Sequence, residues 1–164
     1  YDIICEWLFR TPIQGSVVNL DSDKEEVESF IDDYIAAFKK QYSGDDSDVK
    51  AFFEGDWNLR RRRAGLLFIE SYRSLPLLSW PRKLISKLIE LEQAMVLWRS
   101  SHARMVERMI GRKIGTGGSA GVDYLDMTTK FRVFIDLWLV RSILVKKDRL
   151  PSLKSPEFYE FRGD

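Results

Sequence analysis

Apolar side chains along this chain recur mostly at the spacing of an α-helix. In residues 27–42 they return every three or four positions, and Asp21 or Ser22 precedes that helix as a candidate cap. A second helix is predicted for residues 58–74, because Pro76 then interrupts the pattern. The side chains of these two apolar faces are Val27, Phe30, Ile31, Tyr34, Ile35, Phe38 and Tyr42, followed by Leu66, Leu67, Phe68, Ile69 and Tyr72.

The third predicted helix has the clearest pattern in the chain. Its apolar positions follow steps that alternate between four and three, which places them in a single stripe along one long helix. Gly111 is the candidate stop of this helix. We expect the stripe to face a core, and it consists of Leu84, Leu88, Leu91, Met95, Trp98, His102, Met105 and Met109.

A fourth helix is predicted for residues 129–146, where apolar side chains leave little polar surface, so this helix should be mostly buried. No stretch shows the period-two alternation that is typical of a β-strand. The tail, residues 151–164, is polar and loop-like. The pattern therefore predicts an all-α fold in which helices pack on helices.

Composition and charge narrow the class of protein. The 164 residues are 45% hydrophobic and 31% charged, which is typical of a folded soluble domain. A net charge of +1 disfavours nucleic-acid binding, and charged residues interrupt every long apolar stretch, which disfavours a membrane span. Cys5 is the one cysteine, so a reducing, intracellular setting is expected. Because the chain starts at Tyr1, we expect a fragment or processed piece.

His102 is the one histidine of the chain, and it occupies the stripe of the third helix. A buried imidazole needs a partner, since an unpaired buried polar group costs a few kcal/mol. Two interpretations remain open here: a core histidine bonded to a carbonyl, and a metal or haem ligand. Zinc would need further ligands, whereas haem iron needs one protein ligand and a large apolar cavity. Trp98, Met105 and Met109 flank His102 on the same helix face.

A glycine-rich segment, residues 115–121, follows the third helix. Glycine lets a backbone approach a ligand closely, so the segment is either a flexible linker or a lid over a substrate. It lacks the lysine of a phosphate-binding loop. The side chains of interest in it are Gly115, Thr116, Gly117, Gly118, Ser119 and Gly121.

Two groups of arginines are predicted to form solvated helix faces. The first is residues 60–63, and the second is Arg104, Arg108 and Arg112. Glu70 and Glu107 lie nearby in the sequence and can form ion pairs with them. If a haem pocket lies close to them, their guanidinium groups suit its propionates. Cys5 is interpreted as a packed small residue, because the chain has no second histidine to serve as a base for a nucleophilic thiol.

Residues 98–126, WRSSHARMVERMIGRKIGTGGSAGVDYLD, closely resemble a motif of tryptophan 2,3-dioxygenases. The family pattern is Trp-Arg-x-x-His, then Met-Val-x-Arg-x-x-Gly, then Gly-Thr-Gly-Gly-Ser-x-Gly. EWLFRTP at residues 6–12 resembles a helix end of that family, and FRVFIDLWLVRSILV at residues 131–145 resembles its last long helix. The resemblance spans nearly the whole chain, and it implies that residues 1–164 are the C-terminal helical part of a haem domain, a bundle of long helices around a haem pocket.

The resemblance also implies the site. His102 matches the family's axial ligand of a b-type haem iron, and Thr116 matches the threonine that contacts the substrate ammonium group. The glycine-rich segment matches the part that orders when substrate binds. The implied reaction inserts both atoms of O2 across the indole C2–C3 bond of L-tryptophan and gives N-formylkynurenine. A cytoplasmic homotetramer is implied as well. The implied substrate lid comprises Gly115, Gly117, Gly118, Ser119 and Gly121, and the implied haem lining comprises Trp98, Met105 and Met109.

One departure from the family pattern changes the expectation. The family's distal histidine and the arginine that binds the substrate carboxylate belong to an N-terminal half that nothing in this chain resembles. We therefore expect that half to be a partner, in the same or a separate chain. Two alternatives stay open: a haem oxygenase that acts on another indole or aromatic amino acid, and a non-enzymatic haem-binding relative.

Overall fold

The structure is a computed structural model that describes residues 1–111 and 121–160. Those residues form seven α-helices and four short 3-10 helices, with no β-strand among them, so the all-α prediction is confirmed. No helix in this described part is long and apolar enough to cross a membrane. The α-helices are α1 (Asp2–Phe9), α2 (Asp23–Gln41), α3 (Ser47–Phe52), α4 (Trp57–Ser71), α5 (Ser79–Ile110), α6 (Val122–Thr128) and α7 (Ile135–Leu139). The 3-10 helices are Pro76–Leu78, Val140–Ile143, Lys147–Arg149 and Pro156–Tyr159.

The chain divides into two compact units. The first unit combines Tyr1–Ile85 with Asp136–Asp164, and the second unit is Ser86–Ile135. The prediction that residues 1–164 act as one part of a larger haem domain stays a prediction.

Aromatic side chains form the core of the first unit. Phe30 of α2 meets Phe68 of α4 edge to face, with ring centroids 5.4 Å apart, and Phe68 lies 5.3 Å from the ring of Tyr159. Tyr34 is also fully buried, and its hydroxyl donates to the carbonyl of Ile143 at 3.2 Å. The faces predicted from the spacing in α2 and α4 are therefore the faces that pack.

Helix α1 lies directly against α4 because α4 has a glycine at the contact. A Cβ atom at Gly65 would lie 2.3 Å from the carbonyl oxygen of Leu8 and 3.1 Å from the Cβ of Thr11. Any side chain at this position would separate the two helices. Cys5 of α1 is half-buried, and Nη1 of Arg62 donates to its Sγ at 3.5 Å.

The prediction that residues 60–63 form a solvated face is wrong. Arg61 is fully buried, where its Nε and Nη2 donate to the carboxylate of Asp23 at 3.0 and 3.1 Å and its Nη2 donates to the carbonyl of Thr11 at 2.9 Å. Arg63 is mostly buried and donates to Asp136 at 2.8 Å. These arginines bind groups inside the unit, because α4 is enclosed on most sides and a buried charge needs a partner.

Helix α5 begins earlier than predicted and ends where predicted. Gly111 follows Ile110 with φ of +65°, a left-handed conformation that favours glycine and that stops a helix. The predicted core stripe of α5 is wrong for the described structure, because Ile89, Glu92 and Ala103 are the buried positions of this helix within the second unit. The members of the stripe that stay exposed are Leu91, Met95, Trp98, Met105 and Met109.

The predicted fourth helix, residues 129–146, is mostly absent. Only α7 is α-helical there, and a single 3-10 helix, Val140–Ile143, follows it. Phe131 is 54% exposed, so the expectation of burial fails as well. In the stretch before α7, Arg99 and Glu92 of α5 bind backbone groups of residues 131, 133 and 134, and those groups are then not free to make helical hydrogen bonds.

Candidate functional site

His102 lies near the C-terminal end of α5 and is half-buried. The ring of Trp98, one turn earlier, stacks on the imidazole, with centroids 5.5 Å apart and planes 9° from parallel. Residues four apart on a helix are neighbours, so the spacing itself brings these rings together. Within the part of the chain that the structure describes, no carbonyl accepts a hydrogen bond from this imidazole.

An apolar surface surrounds His102 along α5. Trp98 is 67% exposed, Met105 is 45% exposed and Met109 is 75% exposed. A protein rarely presents several large apolar side chains together unless another molecule or segment covers them. The residues predicted to line a haem pocket therefore share one face with His102, and that face is open.

Charged side chains beside this surface pair with one another. Arg104 donates to Glu107 on its own helix and to Asp126 of α6. The hydrogen bond to Asp126 is the main reason that the pKa of Arg104 is raised above its usual value. Arg104 therefore has carboxylate partners already, whereas Arg112 lies outside the described residues.

The structure describes the last residue of the glycine-rich segment, Gly121. Gly121 has φ of +57° and directly precedes α6. A positive φ is a backbone conformation that favours glycine. The other predicted site residues of the segment, Gly115, Thr116, Gly117, Gly118 and Ser119, lie outside the described residues.

Two side chains of α5 that were given no role from the sequence make contacts in the second unit. Nη1 of Arg99 donates to the carbonyls of Thr128 and Phe131, each at 3.2 Å. Glu92 accepts from two backbone amides ahead of α7. Arg99 belongs to the quoted motif, which was a signal that it has a specific partner. Glu92 has no such signal, because a glutamate on a long helix is usually solvated.

Comparison with known proteins shows the family to which the chain is similar. The family model for tryptophan 2,3-dioxygenase matches residues 18–144, which include α5, His102 and α6. A tryptophan 2,3-dioxygenase-like protein of Xanthomonas campestris pv. campestris is 41% identical over 95% of this chain and 68% of its own length.

Two further relatives are longer than the chain. Tryptophan 2,3-dioxygenase 2 of Ralstonia nicotianae is 40% identical over 94% of this chain, which spans 50% of the relative. Tryptophan 2,3-dioxygenase of Sorangium cellulosum is 41% identical over 96% of this chain, which spans 45% of the relative. The family model and these relatives cover the stretch that carries the resemblance, and the chain belongs to the tryptophan 2,3-dioxygenase family.

Proposed function

We propose that this chain is part of a haem-dependent dioxygenase that adds both atoms of O2 across the indole C2–C3 bond of L-tryptophan to give N-formylkynurenine. The observation that carries the proposal is the position of His102, inside the family match and on an open apolar face of α5. Family membership supports tryptophan as the substrate, since the relatives are named for that reaction.

The residues around His102 fit a haem. An imidazole that has no carbonyl partner among the described residues has a nitrogen to offer to iron, and a haem is a flat, mainly apolar group that needs apolar contacts. Trp98, Met105 and Met109 lie on the same face and would supply those contacts. When bound, haem iron supplies the chemistry of O2, and the protein supplies orientation and exclusion of water.

The other residues of the site orient the substrate. The Thr116 hydroxyl accepts a hydrogen bond from the substrate ammonium group and so holds the indole in place. Gly115, Gly117, Gly118, Ser119 and Gly121 form the lid that excludes water from the bound substrate. These assignments rest on the family motif.

The open face of α5 supports a further part of the proposal, which is that an N-terminal half of the same enzyme covers it. That half would add the second wall of the pocket and the arginine for the substrate carboxylate. A cytoplasmic homotetramer is proposed on the family resemblance.

The haem ligand is tested with His102→Ala. We expect the variant to lose the Soret absorption band of bound haem, because this chain has no other histidine to take over. Added imidazole should restore the band in part, since it fills the space left by the side chain. Ser101→Ala, an exposed neighbour on the same helix, is the matched control and should bind haem normally. Full haem content and turnover in His102→Ala would contradict the assignment.

The substrate contact is tested with Thr116→Ala. A lost hydrogen bond to a charged group is worth about 1.5–3 kcal/mol, so kcat/KM should fall about ten-fold or more. Haem content should not change. Thr116→Ser keeps the hydroxyl and should recover most of the activity. An unchanged kcat/KM in Thr116→Ala would show that another group binds the ammonium.

A further inference from the structure

Arg99 binds the end of α6. The two carbonyls that it contacts, those of Thr128 and Phe131, lie at and just beyond the last turn of that helix. The last carbonyls of a helix have no partner within it, and they carry the negative end of the helix dipole. A guanidinium group that donates to both carbonyls therefore fixes the end of α6 against the side of α5.

Glu92 binds the backbone directly before α7. Its Oε1 accepts from the backbone amide of Phe134 at 3.0 Å and also from the amide of Val133. Glu92 is 3% exposed, so its carboxylate is almost fully removed from water. Hydrogen bonds to a carboxylate in such surroundings are stronger than neutral ones.

The two side chains act on one short stretch of backbone from one face of α5. Glu92 and Arg99 are two helical turns apart, so they project from the same side of the helix. Ala103, one turn further on, is fully buried on that side and lets neighbouring atoms come close. Residues 128–134 are thus held at one end by a cation on their carbonyls and at the other end by an anion on their amides. We call Glu92 and Arg99 the α5 clamp.

We propose that the α5 clamp positions His102 by fixing the rotation of α5 about its own axis. His102 follows Arg99 by three residues, so it projects about 60° around the helix from the clamped side. A shift of the clamp by one residue would turn every side chain of α5 by about 100° and would bury or displace the imidazole. Glu92 and Arg99 are positioning residues in this proposal, and only the link from the imidazole to haem iron rests on the proposed function.

The test uses Arg99→Lys, which keeps the positive charge, and Glu92→Gln, which keeps the size of the side chain. Arg99→Lys replaces the planar guanidinium, which donates to two carbonyls, by a compact ammonium group. Glu92→Gln keeps the shape of the side chain but removes its negative charge. Matched controls are Arg82→Lys and Glu90→Gln, which change the same residue types at exposed positions of the same helix. Circular dichroism and thermal unfolding identify conditions in which each variant is folded.

Three measurements are made on the folded variants. Two of them follow His102 itself: the NMR signal of the imidazole Cε1–H group, assigned by its loss in His102→Ala, and the rate of modification of His102 by diethyl pyrocarbonate. The third is the rate of haem transfer to apomyoglobin. We expect both clamp variants to shift or split the NMR signal and to change the modification rate, while both controls match the wild type. Haem transfer should become about 10- to 100-fold faster, the size of the affinity loss for other residues that orient a metal ligand.

The outcomes separate a positioning role from a merely structural one. A folded clamp variant with a lower melting temperature but an unchanged His102 signal, modification rate and haem transfer would overturn the proposal. If Arg99→Lys does not fold, Glu92→Gln decides the matter by the same measurements. If the wild-type protein binds no haem, the proposed function fails, and the NMR signal and modification rate still decide whether the clamp sets the position of His102.

Discussion

The two units of this chain use their apolar residues in opposite ways. In the first unit, Phe30, Tyr34 and Phe68 are almost completely removed from water. In the described part of the second unit the buried residues are few, and Trp98 and Met109 are mostly exposed. The first unit therefore stabilises itself through its own core, whereas the described part of the second unit presents apolar surface beside His102, which we propose to be a binding surface. Substitutions should accordingly change stability in the first unit and binding in the second.

The largest expected effect on stability comes from Arg61→Ala in the first unit. Removal of the guanidinium leaves the carboxylate of Asp23, which is 5% exposed, without its charged partner. Breaking one side of a buried ion pair costs about 3–5 kcal/mol. Urea denaturation should therefore show a loss of that size, with the NMR signal of His102 unchanged in the folded protein.

A double variant sharpens this prediction. Arg61→Met with Asp23→Leu removes both charges, and replacement of a whole buried pair by apolar residues is often neutral. Part of the lost stability should therefore return, though the carbonyl of Thr11 loses its donor. A loss of less than about 1 kcal/mol in Arg61→Ala would mean that the ion pair does not hold the unit together.

The sequence predicted the first unit better than the second. The apolar faces of α2 and α4 pack in a core that the first unit itself forms, so the spacing of apolar residues was enough to identify the buried faces. The apolar stripe of α5 lies on one helix face, as predicted, yet most of its side chains are exposed. Periodicity shows that a helix has an apolar face, but it does not show what covers that face. If the exposed stripe binds haem, as proposed, the difference follows, since side chains that bind a ligand have the same spacing as side chains that pack in a core.

Polar contacts between distant residues were beyond prediction. Glu90 and Glu92 are two residues apart, yet Glu90 is exposed and paired with Lys87, while Glu92 is buried against residues 133–134. Nothing in the local sequence distinguishes these two glutamates. The same kind of contact bears on the predicted helix at residues 129–146, because apolar spacing does not show that side chains of α5 bind the backbone just before α7.

Tyr159→Phe should lower the stability of the first unit by less than Arg61→Ala does. The Tyr159 hydroxyl accepts from the amide of Gly15 and donates to the carbonyl of Pro12, both at 3.0 Å. Phenylalanine fills the same space but leaves both backbone groups without this partner, which costs about 1–3 kcal/mol. Urea denaturation at neutral pH measures the loss, and an unchanged midpoint would show that water replaces the hydroxyl without cost.

Alkaline pH tests the same hydroxyl in the wild type. Burial raises the pKa of Tyr159 to about 12, although the amide of Gly15 and the charge of Arg61 lower it. The pKa of Tyr159 in the folded protein lies above the usual value of about 10. The protonated hydroxyl therefore adds its full contribution to the free energy of unfolding below pH about 10, and this contribution is lost as pH rises through about 12. Stability should therefore fall over this range, and less steeply in Tyr159→Phe. Equal slopes for the two proteins would assign the alkaline loss to Tyr34 and Tyr72, whose pKa values burial also raises.

The smallest expected effect is that of Leu97→Ala in the second unit, and Leu67→Ala in the first unit is the same substitution for comparison. Leu67 of α4 is fully buried, whereas Leu97 of α5 is 62% exposed. Leu67→Ala leaves a cavity and should cost about 2–5 kcal/mol. Leu97→Ala removes side-chain atoms that water already contacts, and alanine is at least as good a helix former as leucine, so the change should stay within about 0.5 kcal/mol. Urea denaturation of both variants tests the comparison directly. A large loss in Leu97→Ala would mean that the side of α5 that carries Leu97 is covered in the free protein, because only a packed leucine loses contacts when it is shortened. The contrast between the two units would then have to be abandoned.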